Sequence, residues 1–189
     1  MKSRYIPFVH QPFCCVPAII QMVLYRRDLK LLPQEEIGSD LGLIVPEKFY
    51  EILPNAKRGE KPVSGWGTQI QKSEFSLDSF FKKHNYPLAY EHHFPTSIKE
   101  NLAKWIKKQL GKNKDLIACF NAKKLYDTGN DGGHICLIEN IDKNNITLIE
   151  TNKDYPKFRK VKTIKLIDSM IHHKKENLGG FWLIKTIHN

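Results

Sequence analysis

The amino-acid sequence predicts an α+β fold, with N-terminal helices packed on a C-terminal antiparallel β-sheet, from three features of its pattern. Apolar residues in the first part recur with helical spacing and are bracketed by proline or serine starts and glycine stops. From about residue 115 they fall instead into short runs of β-branched and aromatic residues. The tight polar turn "DKNN" joins two of these runs, so they pair as an antiparallel hairpin rather than through a crossover helix. At 189 residues the chain is long enough for one good core, and a single domain over 1–189 is expected.

Each element has its own local reason. "PAIIQMVLYRR" is apolar on nearly every side and suits a fully buried helix, with Pro17 in the first turn and Arg26 and Arg27 at the negative C-terminal end. A second helix follows in "LPQEEIGSDLG", where Pro33 and two acids open it and Gly42 stops it. Residues 43–73 have prolines, glycines and no period, and read as a long excursion with one short helix around Phe49 to Leu53. "SLDSFFKKHNYP" is a helix capped by Ser76, and "LAYEHH" a short strand. In "SIKENLAKWIKKQLG", Ser97 and Glu100 form a capping box, while Ile98, Leu102, Trp105, Ile106 and Leu110 share one face and Gly111 ends the helix. Strands are expected in "DLIACFN", "HICLIENI", "ITLIETN" and "GFWLIKTIH", with a helix in "VKTIKLIDSMIHH" before the last.

Composition narrows the function classes. Hydrophobic residues make up 41% and charged residues 26%, as in globular domains, and no apolar run reaches the roughly 18 residues that span a bilayer. The N-terminus "MKSRYIPFVHQPF" lacks the apolar stretch and cleavage site of a signal peptide, so a soluble cytoplasmic protein without membrane partners is expected. Four cysteines without a CxxC pair point to reduced thiols and offer no zinc-ligand spacing; neither metal nor cofactor is expected. Of the net charge of +10, residues 99–124 carry eight Lys against two acids and residues 153–189 nine Lys or Arg against three. Such segments are either a solvated surface or a site for an acidic partner such as nucleic acid.

The chemistry concentrates at "HQPFCCVPAII". A thiol at a helix N-terminus meets oriented amides that favour the thiolate, which suits a nucleophile. It needs a base, and His134 stands apart from the other seven histidines. It follows the glycine-bearing loop "DTGNDGG", whose glycines let backbone approach a substrate, and it opens a strand that can aim a side chain rigidly. Across the "DKNN" turn, Glu150 and Asn152 come alongside the start of that strand and share a face. Either could hold the far ring nitrogen of His134; Glu150 would also stabilise the imidazolium, whereas Asn152 would only orient the ring. Cys119 and Cys136, flanked by apolar residues, read as plain core thiols.

"CCVPAIIQMVL" followed by "LPQEEIGSDLG" resembles the start of papain-like cysteine peptidases of the bacteriocin-processing, double-glycine leader peptidase type, and "GGHICLIENIDKNNITLIETN" resembles their histidine block. The resemblance covers residues 10–42 and 129–152. It implies that Cys15 is the nucleophile, His134 the general base, Glu150 the counterpart of the family's aspartate and Gln11 the side chain that helps hold the oxyanion. Val16 stands where the family usually has glycine, and Gln11 lies closer to the cysteine than usual. What the resemblance implies is a peptidase or amide hydrolase acting on a peptide or protein through a thioester. An acyl transferase on the same scaffold is the nearest alternative, and a non-catalytic protein using its basic segments is the other.

Overall fold

The computed structural model describes residues 3–111, 114–127 and 131–187. The chain divides into two compact units, Met1–Pro87 with Thr151–Lys153, and Leu88–Glu150 with Asp154–Asn189.

The first unit is helical. Helix α1 (Cys15–Arg26) buries Val16 to Ile20 and Met22 to Leu24, as its nearly uniform apolar sequence requires, with Pro17 in the first turn where its missing N–H costs nothing. Helix α2 (Gln34–Asp40) packs on α1 and ends at Gly42, whose φ of +67° lets the Leu43 N–H return to the Gly38 carbonyl. A Cβ on Gly42 would lie 2.5 Å from the Phe75 ring. Residues 43–73 make the predicted excursion, with short 3₁₀ turns at Glu47–Phe49 and Ser73–Phe75. Leu43, Val45, Leu53 and Ala56 from it form a small cluster with Cys14. Helix α3 (Leu77–Lys83) is capped as expected, the Ser76 hydroxyl accepting the Ser79 N–H at 3.2 Å.

The second unit holds a six-stranded, wholly antiparallel sheet in the order β1-β6-β2-β3-β4-β5. Its strands are β1 (Leu88–His93), β2 (Asp115–Asn121), β3 (Gly133–Asp142), β4 (Asn145–Ile149), β5 (Phe158–Lys162) and β6 (Gly180–Thr186). Three helices lie between them: α4 (Leu102–Gly111), α5 (Ala122–Tyr126) and α6 (Thr163–His173). One core gathers Leu116, Phe120, Ile138, Leu148 and Phe181 from the sheet with Trp105 and Ile106 of α4 and Leu166 and Met170 of α6.

Two local expectations need correction. Helix α4 starts at Leu102, not after Ser97: Pro95–Ser97 is a 3₁₀ turn, the Ser97 hydroxyl donates to the Phe94 carbonyl, and the Asn101 side chain accepts the Lys104 N–H instead. Glu100 pairs with Lys108 at 3.6 Å rather than closing a capping box. Strand β5 and helix α5 had no period long enough to read; "FRKVK" is an edge strand with alternating exposure, and α5 has only five residues.

The β3–β4 hairpin closes through Lys143 and Asn144, with Lys143 at φ +48°. Near the turn Asp142 pairs with Asn145 and Asn140 with Thr147, but a bulge between Ile138 and Asn140 shifts the ladder, so that Ile138 faces Leu148 and Leu137 faces Ile149. Because side chains alternate between faces, that one-residue shift decides which side of the sheet the far end of the hairpin presents. No helix among the described residues is long and apolar enough to cross a membrane.

Candidate functional site

The two adjacent cysteines occupy different environments. Cys14 is the residue before α1 and is fully buried; burial first, then the charges of Cys15 and Glu35, push its thiol up to about 12. Cys15 is the first residue of the helix and only half-buried. No side chain caps α1. The approach to the helix is a tight turn in which the Cys14 N–H donates to the Gln11 carbonyl at 2.9 Å, Pro12 takes the second position and Phe13 the third at φ +61°. Proline is preset for that second position, while a non-glycine residue at the third is held against its preference by its surroundings; the Phe13 ring sits edge-on to Phe49 at 5.2 Å.

Gln11 is pinned by its main chain. Its N–H donates to Gln34 Oε1 at 2.8 Å, and its carbonyl also accepts from His10 Nδ1 at 2.7 Å. Gln34 in turn donates to the Val9 carbonyl. The Gln11 side-chain oxygen is buried and makes no hydrogen bond, so the amide is not tied down through that atom. Asn152, half-buried, belongs to the segment Thr151–Lys153, whose Thr151 carbonyl accepts the His10 N–H at 3.0 Å.

In the second unit, His134 Nε2 lies 2.6 Å from Glu150 Oε1. A carboxylate can only accept, so the ring proton sits on Nε2 and the tautomer is set. Glu150 is fully buried just beyond the end of β4. The bulged ladder, continued one step past the Leu137–Ile149 pair, sets it beside Cys136, two residues along β3 from His134 and on the same face. Its second oxygen, Oε2, accepts from the Tyr126 hydroxyl at 2.9 Å and from the Cys136 thiol at 3.4 Å, with 3.8 Å between the hydroxyl and the sulfur. Burial, then the charge of Glu150, pushes Cys136 up to about 11, and burial followed by the charges of Cys136 and Glu150 pushes the Tyr126 phenol far above its ordinary value. Both groups therefore keep their protons at neutral pH. The Arg159 guanidinium lies 3.6 Å from the centre of the Tyr126 ring and 4.5 Å from that of Tyr155.

Cys136 is thus not the plain core thiol that its apolar neighbours suggested, since it donates to a buried carboxylate. The signal was present: His134 and Cys136 are two apart on a strand. Tyr126 had none, because α5 is too short to show a period. Residues 128–130 of the loop "DTGNDGG" lie outside the described residues. Room at Gly133 is used by the protein itself, as a Cβ there would lie 2.7 Å from the His173 ring. His134, Cys136 and Glu150 place one nitrogen, one sulfur and one oxygen within 4.8 Å of one another, a donor set that a soft divalent cation could share. In the structure these atoms are engaged by hydrogen bonds to the shared carboxylate.

No protein-family model matches the sequence, and no curated protein matches it significantly. Solved structures do. A double-glycine motif protease from an AMS/PCAT transporter, crystallised in complex with the leader peptide, matches at a TM-score of 0.51 with 14% identity, over 98% of this chain and 94% of that one. A C39-like peptidase from Bacillus anthracis, described as putative in its own structure, matches at a TM-score of 0.62 with 10% identity, over 97% and 96%. The chain has the α+β, papain-like fold that these C39-type cysteine peptidase structures share.

Proposed function

We propose that this protein is a papain-like cysteine peptidase in which Cys15 is the nucleophile, His134 the general base and Glu150 the group that orients and charges the histidine. The observation that carries the reading is the 2.6 Å bond between His134 Nε2 and a fully buried Glu150 carboxylate. Two further observations support it: a half-buried thiol at the head of an uncapped helix, and a fold shared with cysteine peptidases.

With Nε2 engaged by Glu150, Nδ1 is the nitrogen that takes the Cys15 proton. The thiolate attacks the substrate carbonyl carbon, and the new oxyanion is held by the Cys15 backbone N–H and the Gln11 side-chain amide. Collapse of the adduct forms the thioester and breaks the C–N bond as His134 returns its proton to the leaving amine. Water then attacks the thioester, His134 takes its proton, and the acid departs with regeneration of the thiol. Asn152 is kept as the alternative third member, an amide that would orient the ring without charging it. The substrate class is a peptide, which agrees with the leader peptide bound in the similar protease.

The test is cleavage of a mixed peptide pool read by mass spectrometry. Wild-type protein should cut it, one equivalent of iodoacetamide should label Cys15 and stop the reaction, and Cys15→Ala should lower the rate roughly 10⁴-fold or more. Dibromoacetone, which bridges a thiol and an adjacent imidazole, should link Cys15 to His134. Undiminished cleavage by Cys15→Ala, or labelling of Cys15 no faster than of Cys14, would overturn the reading.

A further inference from the structure

The geometry points to Tyr126 and Cys136 as positioning residues, two permanent donors that clamp Oε2 of Glu150 so that Oε1 is held on His134 Nε2. The inference rests on the proposed peptidase reading and goes beyond it, because neither residue belongs to the triad.

A carboxylate with no solvent contact needs hydrogen-bond donors on both oxygens, because a buried acceptor left without one bears its full desolvation cost. Glu150 is fully buried, yet His134 supplies only one donor. Tyr126 and Cys136 supply two more, to the opposite oxygen. Their arrangement leaves the carboxylate little freedom. With Oε2 fixed from α5 on one side and β3 on the other, the carboxylate plane cannot rotate, and Oε1 stays in line with the imidazole. A glutamate has one more rotatable bond than an aspartate, so a clamp on its far oxygen compensates for the longer side chain.

The clamp also sets the protonation of the pair. Two neutral donors stabilise the charged carboxylate without competing for its proton, since both thiol and phenol remain protonated at neutral pH. Among the groups facing Glu150 are His134 and Cys136 from β3 and Tyr126 from α5. The main chain of Lys157 accepts the Glu150 N–H, and Arg159 lies over the rings of Tyr126 and Tyr155. Removing one neutral donor makes the histidine–glutamate pair hold its shared proton more tightly, so the midpoint of the pair moves up.

The experiment titrates the His134 ring by NMR in full-length protein carrying Cys15→Ala, which removes coupling to the catalytic thiol, with His134→Gln used for assignment. Tyr126→Phe and Cys136→Ala should each raise the midpoint by about half a unit to one unit, whereas Cys136→Ser, which keeps a donor, should leave it near the parent value. In the Cys15-containing protein, Tyr126→Phe should lower kcat about tenfold with KM unchanged, since the phenol acts through Glu150 and not on substrate. Midpoints unmoved in both Tyr126→Phe and Cys136→Ala would overturn the inference even if activity fell. A shifted midpoint in a protein that cuts no peptide would support the clamp and overturn the peptidase reading instead.

Discussion

The two units hold their proposed catalytic groups by opposite means. In the first, Cys15 is aimed by structure local in sequence: a turn over Gln11 to Cys14, a proline in the first helical turn and a buried apolar helix behind it. In the second, His134 is aimed by partners far along the chain, Glu150 sixteen residues away, brought in by a strand ladder and a bulge. Local devices survive small changes elsewhere, whereas a ladder transmits a one-residue error along its whole length.

Insertion of one alanine between Ile149 and Glu150 should break the comparison most sharply. The extra residue carries Glu150 one position further along the strand, and alternation then puts it on the other face of the sheet from Cys136 and His134. Peptide cleavage should fall to the level of Cys15→Ala while far-UV circular dichroism keeps the sheet signal and Cys15 stays the most reactive thiol. Next in size is Glu150→Gln, which keeps an acceptor for His134 and loses the charge that stabilises the imidazolium. We expect roughly 100-fold or more off kcat/KM, against about tenfold or less for Asn152→Ala. A larger effect at Asn152 would make the amide, not the carboxylate, the third member.

Glycine replacements sharpen the contrast in stability. Gly42→Ala in the first unit combines a positive φ with a Cβ 2.5 Å from the Phe75 ring and should cost about 2–4 kcal/mol. Gly133→Ala meets only the His173 imidazole, the movable end of a side chain, and should cost about 1 kcal/mol. Thermal unfolding would rank them, at about 2–4 °C per kcal/mol for a chain of this size.

The smallest effect is in alkaline stability. Cys14 is raised from 9.0 to about 12 in the folded chain, so the native state retains a proton that the unfolded chain sheds. The associated stabilisation is fully present below pH 9 and drains as pH rises from 9 towards 12. Cys14→Ala should flatten that slope in urea titrations. Labelling at pH 8 should stop at Cys15 unless the protein is unfolded.

How far the site could be read beforehand follows the same division. The thiol end was legible because helix starts are written in adjacent residues, with "CCVPA" placing a cysteine ahead of a proline in the first turn. His134 was legible as the opening of a strand, and Glu150 as the end of its hairpin partner. Tyr126 was not, since five helical residues show no periodicity, and the clamp role of Cys136 was hidden by apolar neighbours that made it look like core.

By itself, then, the amino-acid sequence determined the order of the helices and strands other than α5 and β5, the buried first helix with a thiol at its head, and the hairpin that carries His134 and Glu150. These follow from apolar periodicity and from turn residues acting over a few positions. Only the tertiary structure decided which of two neighbouring cysteines is buried, where the β3 bulge falls, and that three donors converge on one carboxylate. A bulge and a buried polar cluster are settled by packing between distant segments, and no local pattern of residues encodes where those segments meet.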